Sequence, residues 1–528
     1  MPAPEDDSIA SQVFGIHELL LLVLSFLGPT GKGVGLGIAF VDRPTLARFA
    51  RVSRNVSDLA LDALWRSLHR PDAVVRLLPE DAYVGTAEEG FCLRRPLCSA
   101  DFQVFDKYAP RVEYVDISNS MGKLRRGCEL FPYFKAFRHP LFPRLKELRW
   151  EAAIHNGSIG ALNLISPAGP IPSCEFTLIL WERVELESAL SSGASQAMVD
   201  AIRAFNDPAV PWLPDVERMN IRTLEFLPGI QEAIQKLGNL QQLSLDFRAD
   251  AQMVQWLASR PQLKSLDIRQ LPYDSISCLP RTPHTFPALE KLRISGTIPA
   301  LTACISRITS PSLYSIHLVP QLDERDISPS LFCTIIPESI PARAAELTNF
   351  KFTCPVRRTG QDPLKLVIAA FAPLYACRNL ETFFIDVTPT ELVFTDADVH
   401  AMGAAWQFLV ELYIAPPHRS TPTASLYSLW AFATGCPRLQ RLAIEVDAKS
   451  STAEPFVRDD STLDVDPGPA LTELNLFCAP CGDPDFVVAF LKVAFPNLDG
   501  LGLRAYGAMA RSEDKSRWTQ VAAALGVY

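Results

Sequence analysis

Apolar residues recur along the chain in one short frame, L-x-x-L-x-[LI], between residues 238 and 505. Clear copies include "GNLQQLSLDF" at 238–247 and "CPRLQRLAIEV" at 436–446. The first leucines of successive copies, from Leu240 to Leu498, follow one another at intervals of 23 to 34 residues. A pattern repeated at such intervals predicts stacked structural units rather than one compact core. The other clear copies lie at 260–270, 286–296, 310–320, 377–387, 468–478 and 495–505, and weaker copies begin at Val112, Leu145, Phe176, Ile221, Leu347 and Leu409.

The frame specifies which side chains of each unit are buried. Side chains alternate between the two faces of a strand, so the first, fourth and sixth positions point into a core and the residues between them point outward. Apolar segments between the copies, at 251–260, 424–435 and 486–495, predict helices on the other side of the sheet. One unit cannot bury its own apolar face, so the units must stack. We therefore predict an α/β fold: a leucine-rich-repeat solenoid, or horseshoe, with short parallel strands on its concave face.

The outward positions predict a binding surface. About 12 to 14 strands at roughly 4.8 Å spacing give a sheet on the order of 60 Å long, enough for a protein to lie along it. Basic residues gather at Arg269, Lys291 and Arg293, whereas acidic residues dominate from Glu411 onward. The alternative is an ordinary solvated sheet face, since exposed charges usually contact only water. The candidate substrate-binding residues on the concave face are Asp246, Asp267, Arg269, Lys291, Arg293, His317, Phe384, Glu411, Tyr413, Arg441, Glu445, Glu473 and Phe477.

The segment "IHELLLLVLSFL" at 16–27 is apolar on almost all sides if it forms a helix. The preceding "MPAPEDDSIASQ" at 1–12 holds three acids and no basic residue, whereas a secretory signal begins with a basic region. As a helix the segment covers about 18 Å, too little for a membrane core of about 30 Å. The glycines at 31–37 lack the spacing of a phosphate-binding loop. A helix of a small domain buries one stripe, so the remaining apolar surface predicts a protein partner.

Three successive pieces of the N-terminal region resemble the F-box. They are "ELLLLVLSFL" at 18–27, "LARFARVSRNVSDLA" at 46–60 and "ALWRSL" at 63–68. The usual Leu-Pro before the first helix is replaced by Ile16 and His17, and a glycine-rich insertion widens the first loop. Together with the repeats, the chain is similar to fungal F-box and leucine-rich-repeat proteins, in which a small all-α F-box domain precedes the solenoid.

This resemblance implies a function. Such a protein is the substrate-recognition subunit of a Skp-cullin-F-box E3 ubiquitin ligase: the F-box binds a Skp-type adaptor, and through it a cullin, while the solenoid binds a protein substrate. The alternative is a leucine-rich-repeat interaction scaffold that never meets the ligase, with the apolar helix acting as an internal cap. The residues that the resemblance implies for adaptor binding are Leu19, Leu20, Val23, Leu24, Leu27, Val52 and Trp65.

Composition narrows the classes of partner. The chain has 59 acidic and 50 Lys or Arg residues, a net charge of -9, so we expect neither nucleic acid nor membrane as a partner. Its 12 cysteines are mostly isolated, which favours reduced thiols and a cytoplasmic or nuclear location. The single C-x-x-C of Cys478 and Cys481 lacks the second pair of a metal site, and we interpret it as core packing. No motif predicts catalytic residues, a metal or a cofactor, and we expect a protein that is not an enzyme.

These patterns divide the chain into segments. We predict a disordered tail at 1–12, an F-box-like helical domain at 13–70, a connector at 71–108, the solenoid at 109–510 and a capping helix at 511–528. Within the solenoid, acidic and proline-containing stretches near 320–345 and 447–468 predict loops.

Overall fold

The structure is a computed structural model that describes most of the repeat region and part of the N-terminal region. The predicted tail at 1–12 and most of the two predicted loops lie outside the described residues. The described residues are 22, 43–52, 54–69, 72–86, 90–117, 130, 133–134, 137–138, 141–153, 173–179, 217–221, 230–235, 237–277, 285–321, 346–354, 364–387, 390–415, 423–449, 470–477, 479–502 and 512–527.

Strands and helices alternate along most of the described chain. The strands are β1 Ser67–Leu68, β2 Tyr83–Thr86, β3 Gly90–Leu93, β4 Tyr114–Ile117, β5 Glu147–Ala153, β6 Ser173–Ile179, β7 Arg218–Ile221, β8 Gln242–Arg248, β9 Ser265–Leu271, β10 Lys291–Gly296, β11 Ser315–Pro320, β12 Asn349–Thr353, β13 Leu364–Val367, β14 Thr382–Asp386, β15 Thr390–Val393, β16 Glu411–Ala415, β17 Arg441–Ala443, β18 Glu473–Asn475 and β19 Gly500–Gly502. The α-helices are α1 Arg43–Phe49, α2 Arg54–Trp65, α3 Asp72–Val75, α4 Gln103–Tyr108, α5 Ile230–Gln235, α6 Ala251–Ala258, α7 Tyr273–Ser277, α8 Ile298–Arg307, α9 Asp396–Ala405, α10 Trp430–Gly435, α11 Pro484–Ala494 and α12 Ser512–Leu525. The 3-10 helices of the described residues lie at Ser99–Phe102, Ala109–Arg111, Ile368–Ala376 and Leu426–Leu429.

The largest sheet has eleven strands in the order β19-β18-β17-β16-β14-β12-β11-β10-β9-β8-β7. From β9 to β19, each strand pairs in parallel with its neighbour. A second sheet, β1-β4-β5-β6, is also parallel, and β2 and β3 form an antiparallel hairpin. Contacts divide the chain into two compact units, Met1–Ser244 and Leu245–Tyr528.

Two buried rows run across the large sheet. The fourth position of the frame aligns Leu266, Leu292, Ile316, Phe350 and Phe383 on five neighbouring strands, and none of these side chains is more than 2% exposed. The sixth position forms a second buried row, because alternation returns every second side chain to the same face. Full burial of each large apolar side chain stabilises the fold by roughly 1.5–3 kcal/mol. The predicted leucine-rich-repeat fold is confirmed.

Helices lie between successive strands of the large sheet in sequence, as the apolar segments predict. The helix α6 begins at an N-cap, since the Asp250 carboxylate accepts the backbone N–H of Met253 at 2.7 Å. Helices α9 and α10 of adjacent repeats approach so closely that a Cβ on Gly435 would clash with the carbonyl group of Gly403. Glycine therefore permits the backbone contact between these two repeats.

The last helix, α12, packs against the segment that follows β18. In α12, the Trp518 indole is buried and its Nε1–H donates to the Ala479 carbonyl at 2.7 Å. Asp514 accepts the backbone N–H of Cys481 at 3.1 Å and pairs with Lys449 at 2.9 Å. These contacts hold α12 against the segments that follow β17 and β18.

Helices α1 and α2 form a small core of their own. Leu46 of α1 packs with Val56 and Ala60 of α2, and all three are at most 1% exposed. The weaker repeat copies at Phe176 and Ile221 were assigned in the wrong register: both residues lie inside β6 and β7, whereas the first leucine of a copy lies before its strand.

Candidate functional site

The outward face of the large sheet brings five of the thirteen predicted substrate-binding residues into one row. At the fifth position of the frame, Asp267, Arg293, His317, Phe384 and Tyr413 lie in register on neighbouring strands, with Lys351 of β12 between His317 and Phe384. We call these six residues the exposed row. The outward side chains are mainly charged at one end of the row and include stacked aromatic rings at the other. We call β8–β12 the charged half. We call β14–β18, together with the turn that follows β18, the aromatic half.

The charged half begins with alternating acids and bases. The Arg269 guanidinium donates to the Asp246 carboxylate across two strands at 2.8 Å. Asp267 lies 4.0 Å from Arg269 and 3.9 Å from Arg293, so one carboxylate faces two guanidinium groups. The Asp246 and Arg269 side chains are each about one third exposed, at 31% and 33%, and this pairing is therefore partly screened by solvent.

His317 lies between two cations. Arg293 and Lys351 flank it in register on β10 and β12, and its Nε2 is 3.1 Å from the Thr353 hydroxyl. Burial first, and then the neighbouring charges of Arg293 and Lys351, lower the pKa of His317 to about 4. The imidazole is therefore neutral at neutral pH.

The aromatic half is a continuous set of ring contacts. The Phe384 and Tyr413 rings stack with centroids 4.3 Å apart and planes 5° apart. Phe477 meets Tyr413 edge-on at 5.8 Å and packs against Ala415 and Ala443. The Lys351 ammonium lies 5.5 Å from the Phe384 centroid, so this cation joins the two halves.

The first positions of the strands add a second line of charges. Lys291 is exposed on β10, with its ammonium 5.6 Å from the Tyr314 ring. Arg441 of β17 donates to the Glu411 carboxylate of β16 at 2.8 Å and is in register with the exposed Glu473 of β18. Acidic residues thus border the aromatic half, as the sequence predicts.

Two of the predicted exposed residues are buried, and those two predictions are wrong in this respect. Glu445 is 6% exposed and Phe477 is 3% exposed. The strands β17 and β18 end at Ala443 and Asn475, so the alternation of the frame does not extend to these residues. Phe477 instead has a positive φ of 51°, and its N–H donates to the Asn475 side chain at 3.0 Å. This turn directs the phenyl ring back across the exposed sheet face.

Lys351 belongs to the exposed row but is absent from the predicted substrate-binding residues. It lies between the buried Phe350 and Phe352, one residue after the fourth position of the weaker copy that begins at Leu347. The sequence pattern could have identified Lys351, because it occupies the fifth position of the frame, as Arg293 and His317 do.

The predicted adaptor-binding residues are only partly described. Leu19, Leu20, Val23, Leu24 and Leu27 lie outside the described residues. Leu22 is helical and 55% exposed, and Val52 is 65% exposed. Trp65, at the end of α2, is half-buried and stacks on Tyr108 with ring centroids 4.8 Å apart.

The described residues also bear on metal binding, thiol chemistry and membrane insertion. No group of three or more His, Cys, Asp or Glu residues there could hold a metal ion. Burial raises the pKa of Cys304 and Cys436 to about 12 and that of Cys481 to about 11, so these thiols stay protonated. Cys478, the other half of the C-x-x-C, lies outside the described residues. None of the described helices is long and apolar enough to cross a membrane.

Comparison with known proteins gives structural similarity only. No protein-family model matches the chain, and no curated protein matches it. One similar solved structure is the yeast complex of Rad7 and Elc1, 12% identical over 60% of this chain and 79% of the matched chain, with a TM-score of 0.31. Another is the leucine-rich-repeat ectodomain of the membrane receptor kinase GASSHO1/SCHENGEN3 from Arabidopsis thaliana in complex with CASPARIAN STRIP INTEGRITY FACTOR 2, 12% identical over 76% of this chain and 54% of the matched chain, with a TM-score of 0.29. The fold assignment depends on the eleven-stranded sheet and its register.

Proposed function

We propose that this protein is the substrate-recognition subunit of a Skp-cullin-F-box ubiquitin ligase. In this proposal the exposed sheet face binds a protein substrate, and the N-terminal helices bind a Skp-type adaptor and, through it, a cullin. The protein performs no catalytic step itself and acts in the cytoplasm or nucleus. The observation that carries the proposal is the exposed row, in which charged and aromatic side chains share one register on neighbouring strands.

The composition of this row supports protein binding. Aromatic residues and arginine are enriched among the residues that dominate the energy of protein interfaces. Phe384 and Tyr413 are rigid because they stack on each other, so holding them at an interface costs little conformational entropy. Exposed charges on both sides of them can pair with a partner and exclude partners of the wrong charge.

Exposed apolar residues support adaptor binding by the N-terminal region. The core between α1 and α2 buries Leu46, Val56 and Ala60, whereas Val52, in the turn between these helices, is 65% exposed. Leu22, in the segment that resembles the first F-box helix, is 55% exposed. Val52 is one of the residues that the F-box resemblance implies for adaptor binding, and its exposure leaves it accessible to a partner.

One observation favours the alternative of a scaffold outside any ligase. Trp65 stacks on Tyr108, so one of the seven residues expected to contact the adaptor is already engaged within the chain. If the remaining apolar residues are covered in the same way, the N-terminal helices serve only as a cap.

Co-expression with a Skp adaptor, followed by size-exclusion chromatography, separates the two functions. The test variants are Val52→Asp and the double variant Leu20→Asp/Leu24→Asp. Val104→Asp is the matched control, because Val104 is also a half-exposed valine of the N-terminal unit, at 50%, but lies in α4 outside the F-box-like pieces. Far-UV circular dichroism of each variant reports whether the fold is retained.

The proposal expects the wild-type protein and the Val104→Asp variant to co-elute with the adaptor in equal amounts, and both test variants to elute alone and folded. A folded wild-type protein that elutes without the adaptor would contradict the ligase function and leave the scaffold.

A further inference from the structure

Two basic side chains flank a neutral histidine on three neighbouring strands. Arg293 of β10, His317 of β11 and Lys351 of β12 occupy one register, and burial together with the two cations keeps the His317 imidazole neutral at neutral pH. The nearest compensating acid is Asp267, which lies 3.9 Å from Arg293 and is shared with Arg269. Among the described residues, no carboxylate lies within 4.0 Å of the Lys351 ammonium. This part of the face therefore has a local excess of positive charge in a protein whose net charge is -9.

An apolar surface adjoins this positive cluster directly. Lys351 lies against Phe384, which stacks on Tyr413, which in turn contacts Phe477. A ligand that reaches both features must carry negative charge and an apolar group on one chain.

We propose that this part of the exposed face binds an extended acidic segment of a protein partner, with carboxylates on Arg293 and Lys351 and an apolar side chain on Phe384 and Tyr413. The inference rests on the proposed function, because it names the chemistry of the protein that the sheet face binds. It goes beyond that function in specifying the residues and the order of the ligand groups.

The spacing of the strands sets the spacing of these groups. The midpoint between Phe384 and Tyr413 lies one and a half strand intervals, or about 7 Å, from Lys351 and three and a half intervals, or about 17 Å, from Arg293. An extended peptide advances roughly 3.3 Å per residue. The apolar residue therefore lies about two residues from one acidic residue and about five from the other.

A nucleic acid fits this surface less well than an acidic peptide. The positive cluster is confined to three strands and is bordered by Asp267 on one side and by Asp386 and Glu411 on the other, whereas a phosphate backbone requires positive charge along its whole length. A short run of carboxylates next to an apolar side chain matches both the extent and the order of the surface.

Proton uptake on binding should make the affinity for the acidic segment depend on pH, which provides a second test. A carboxylate beside His317 favours its charged form and raises the low pKa that burial and the two cations impose. The complex then takes up a proton that the free protein does not, so affinity increases as the pH falls from about 6.5 towards 4. The charged groups on the outward side of the strands around His317 include Lys291 and Arg293 on β10, Lys351 on β12, Asp267 on β9 and Asp386 on β14.

Selection from a displayed library of random twelve-residue peptides tests the inference on the full chain. Peptides enriched on the wild-type protein are synthesised with a fluorescent label, and fluorescence anisotropy measures their affinity for wild type, Lys351→Glu and Phe384→Ser. Lys492→Glu is the matched control, because it makes the same charge change at an exposed lysine of α11 rather than of the sheet. Thermal unfolding of each variant checks that the fold is retained.

We expect enriched peptides with Asp or Glu about two to five residues from an apolar residue. Lys351→Glu should weaken their binding about thirtyfold, and Lys492→Glu less than twofold. A peptide with lysine in place of its acids should bind Lys351→Glu better than it binds wild type. In wild type, but not in His317→Gln, affinity should rise as the pH is lowered from about 6.5 to about 5.

Each unfavourable result would overturn a different part of the proposal. Peptides that bind wild type and Lys351→Glu equally, but lose affinity for variants elsewhere on the sheet face, would overturn this inference and leave protein binding by the solenoid intact. A phosphoserine version that binds when the carboxylate version does not would overturn the choice of carboxylate. Enrichment of no peptide would overturn both this inference and the substrate-binding half of the proposed function.

Discussion

The charged and aromatic halves of the sheet face are built on the same buried framework but differ in the side chains of their exposed row. Behind both halves, the fourth position of the frame holds a buried apolar residue, Leu292 in the charged half and Phe383 in the aromatic half. In front, one half carries Arg293, His317 and Lys351, and the other carries stacked rings. The inward residues therefore fix the fold, while the outward residues are free to determine what binds.

Truncation of a buried residue should destabilise the protein by a similar amount in both halves. We expect Leu292→Ala and Phe383→Ala each to lower the free energy of unfolding by about 3 kcal/mol, since both leave a cavity in the core. The exposed neighbours Arg293→Ala and Phe384→Ala should each cost less than about 1 kcal/mol, as surface substitutions usually do. Urea unfolding followed by circular dichroism measures all four. Equal losses for Phe383→Ala and Phe384→Ala would show that the aromatic half is core rather than surface.

His317 should make the charged half sensitive to pH. In the unfolded chain its imidazole protonates below its ordinary pKa of 6.5, whereas in the folded protein it stays neutral until about 4. Protons therefore bind the unfolded state preferentially, and stability falls as the pH drops from 6.5 towards 4. Between pH 6.5 and 5 we expect His317 to account for a loss of about 1 to 2 kcal/mol.

His317→Gln measures this contribution, because glutamine cannot titrate. Urea unfolding of the wild type and the variant at several pH values should show a shallower loss of stability for the variant below pH 6.5. Parallel curves would mean that His317 has an ordinary pKa, and that Arg293 and Lys351 do not act on it.

The sequence could predict the buried rows of both halves but not how the exposed side chains pair. One frame of leucines is enough to mark Leu292 and Ile316 as buried, and the same frame marks Lys351 as exposed. The distances between acids and bases depend on the register between strands that are 23 or more residues apart, which no local pattern contains. The frame failed at Phe477, because its strand ends at Asn475 and a turn then determines where the ring lies.

The aromatic half should be coupled through ring packing. A double-mutant cycle with Phe384→Ala and Tyr413→Ala should give a coupling free energy of about 1 kcal/mol, the range of stacked aromatic pairs. Because the rings are uncharged, the coupling should be unchanged in 1 M NaCl. A coupling that falls with salt would point to Lys351, whose ammonium lies against Phe384, as its source.

The ion pairs of the charged half should give the smallest effect and the opposite response to salt. A cycle with Asp246→Ala and Arg269→Ala should give a coupling of about 0.5 kcal/mol at low ionic strength, because both side chains are about one third exposed and the pair is screened by water. In 1 M NaCl, where the Debye length is about 3 Å, most of this coupling should disappear. A coupling that persists in salt would mean that the 2.8 Å hydrogen bond, rather than the charge, joins β8 to β9 at this point. The charged half would then be as rigid as the aromatic half, and the difference between them would lie in the choice of ligand alone.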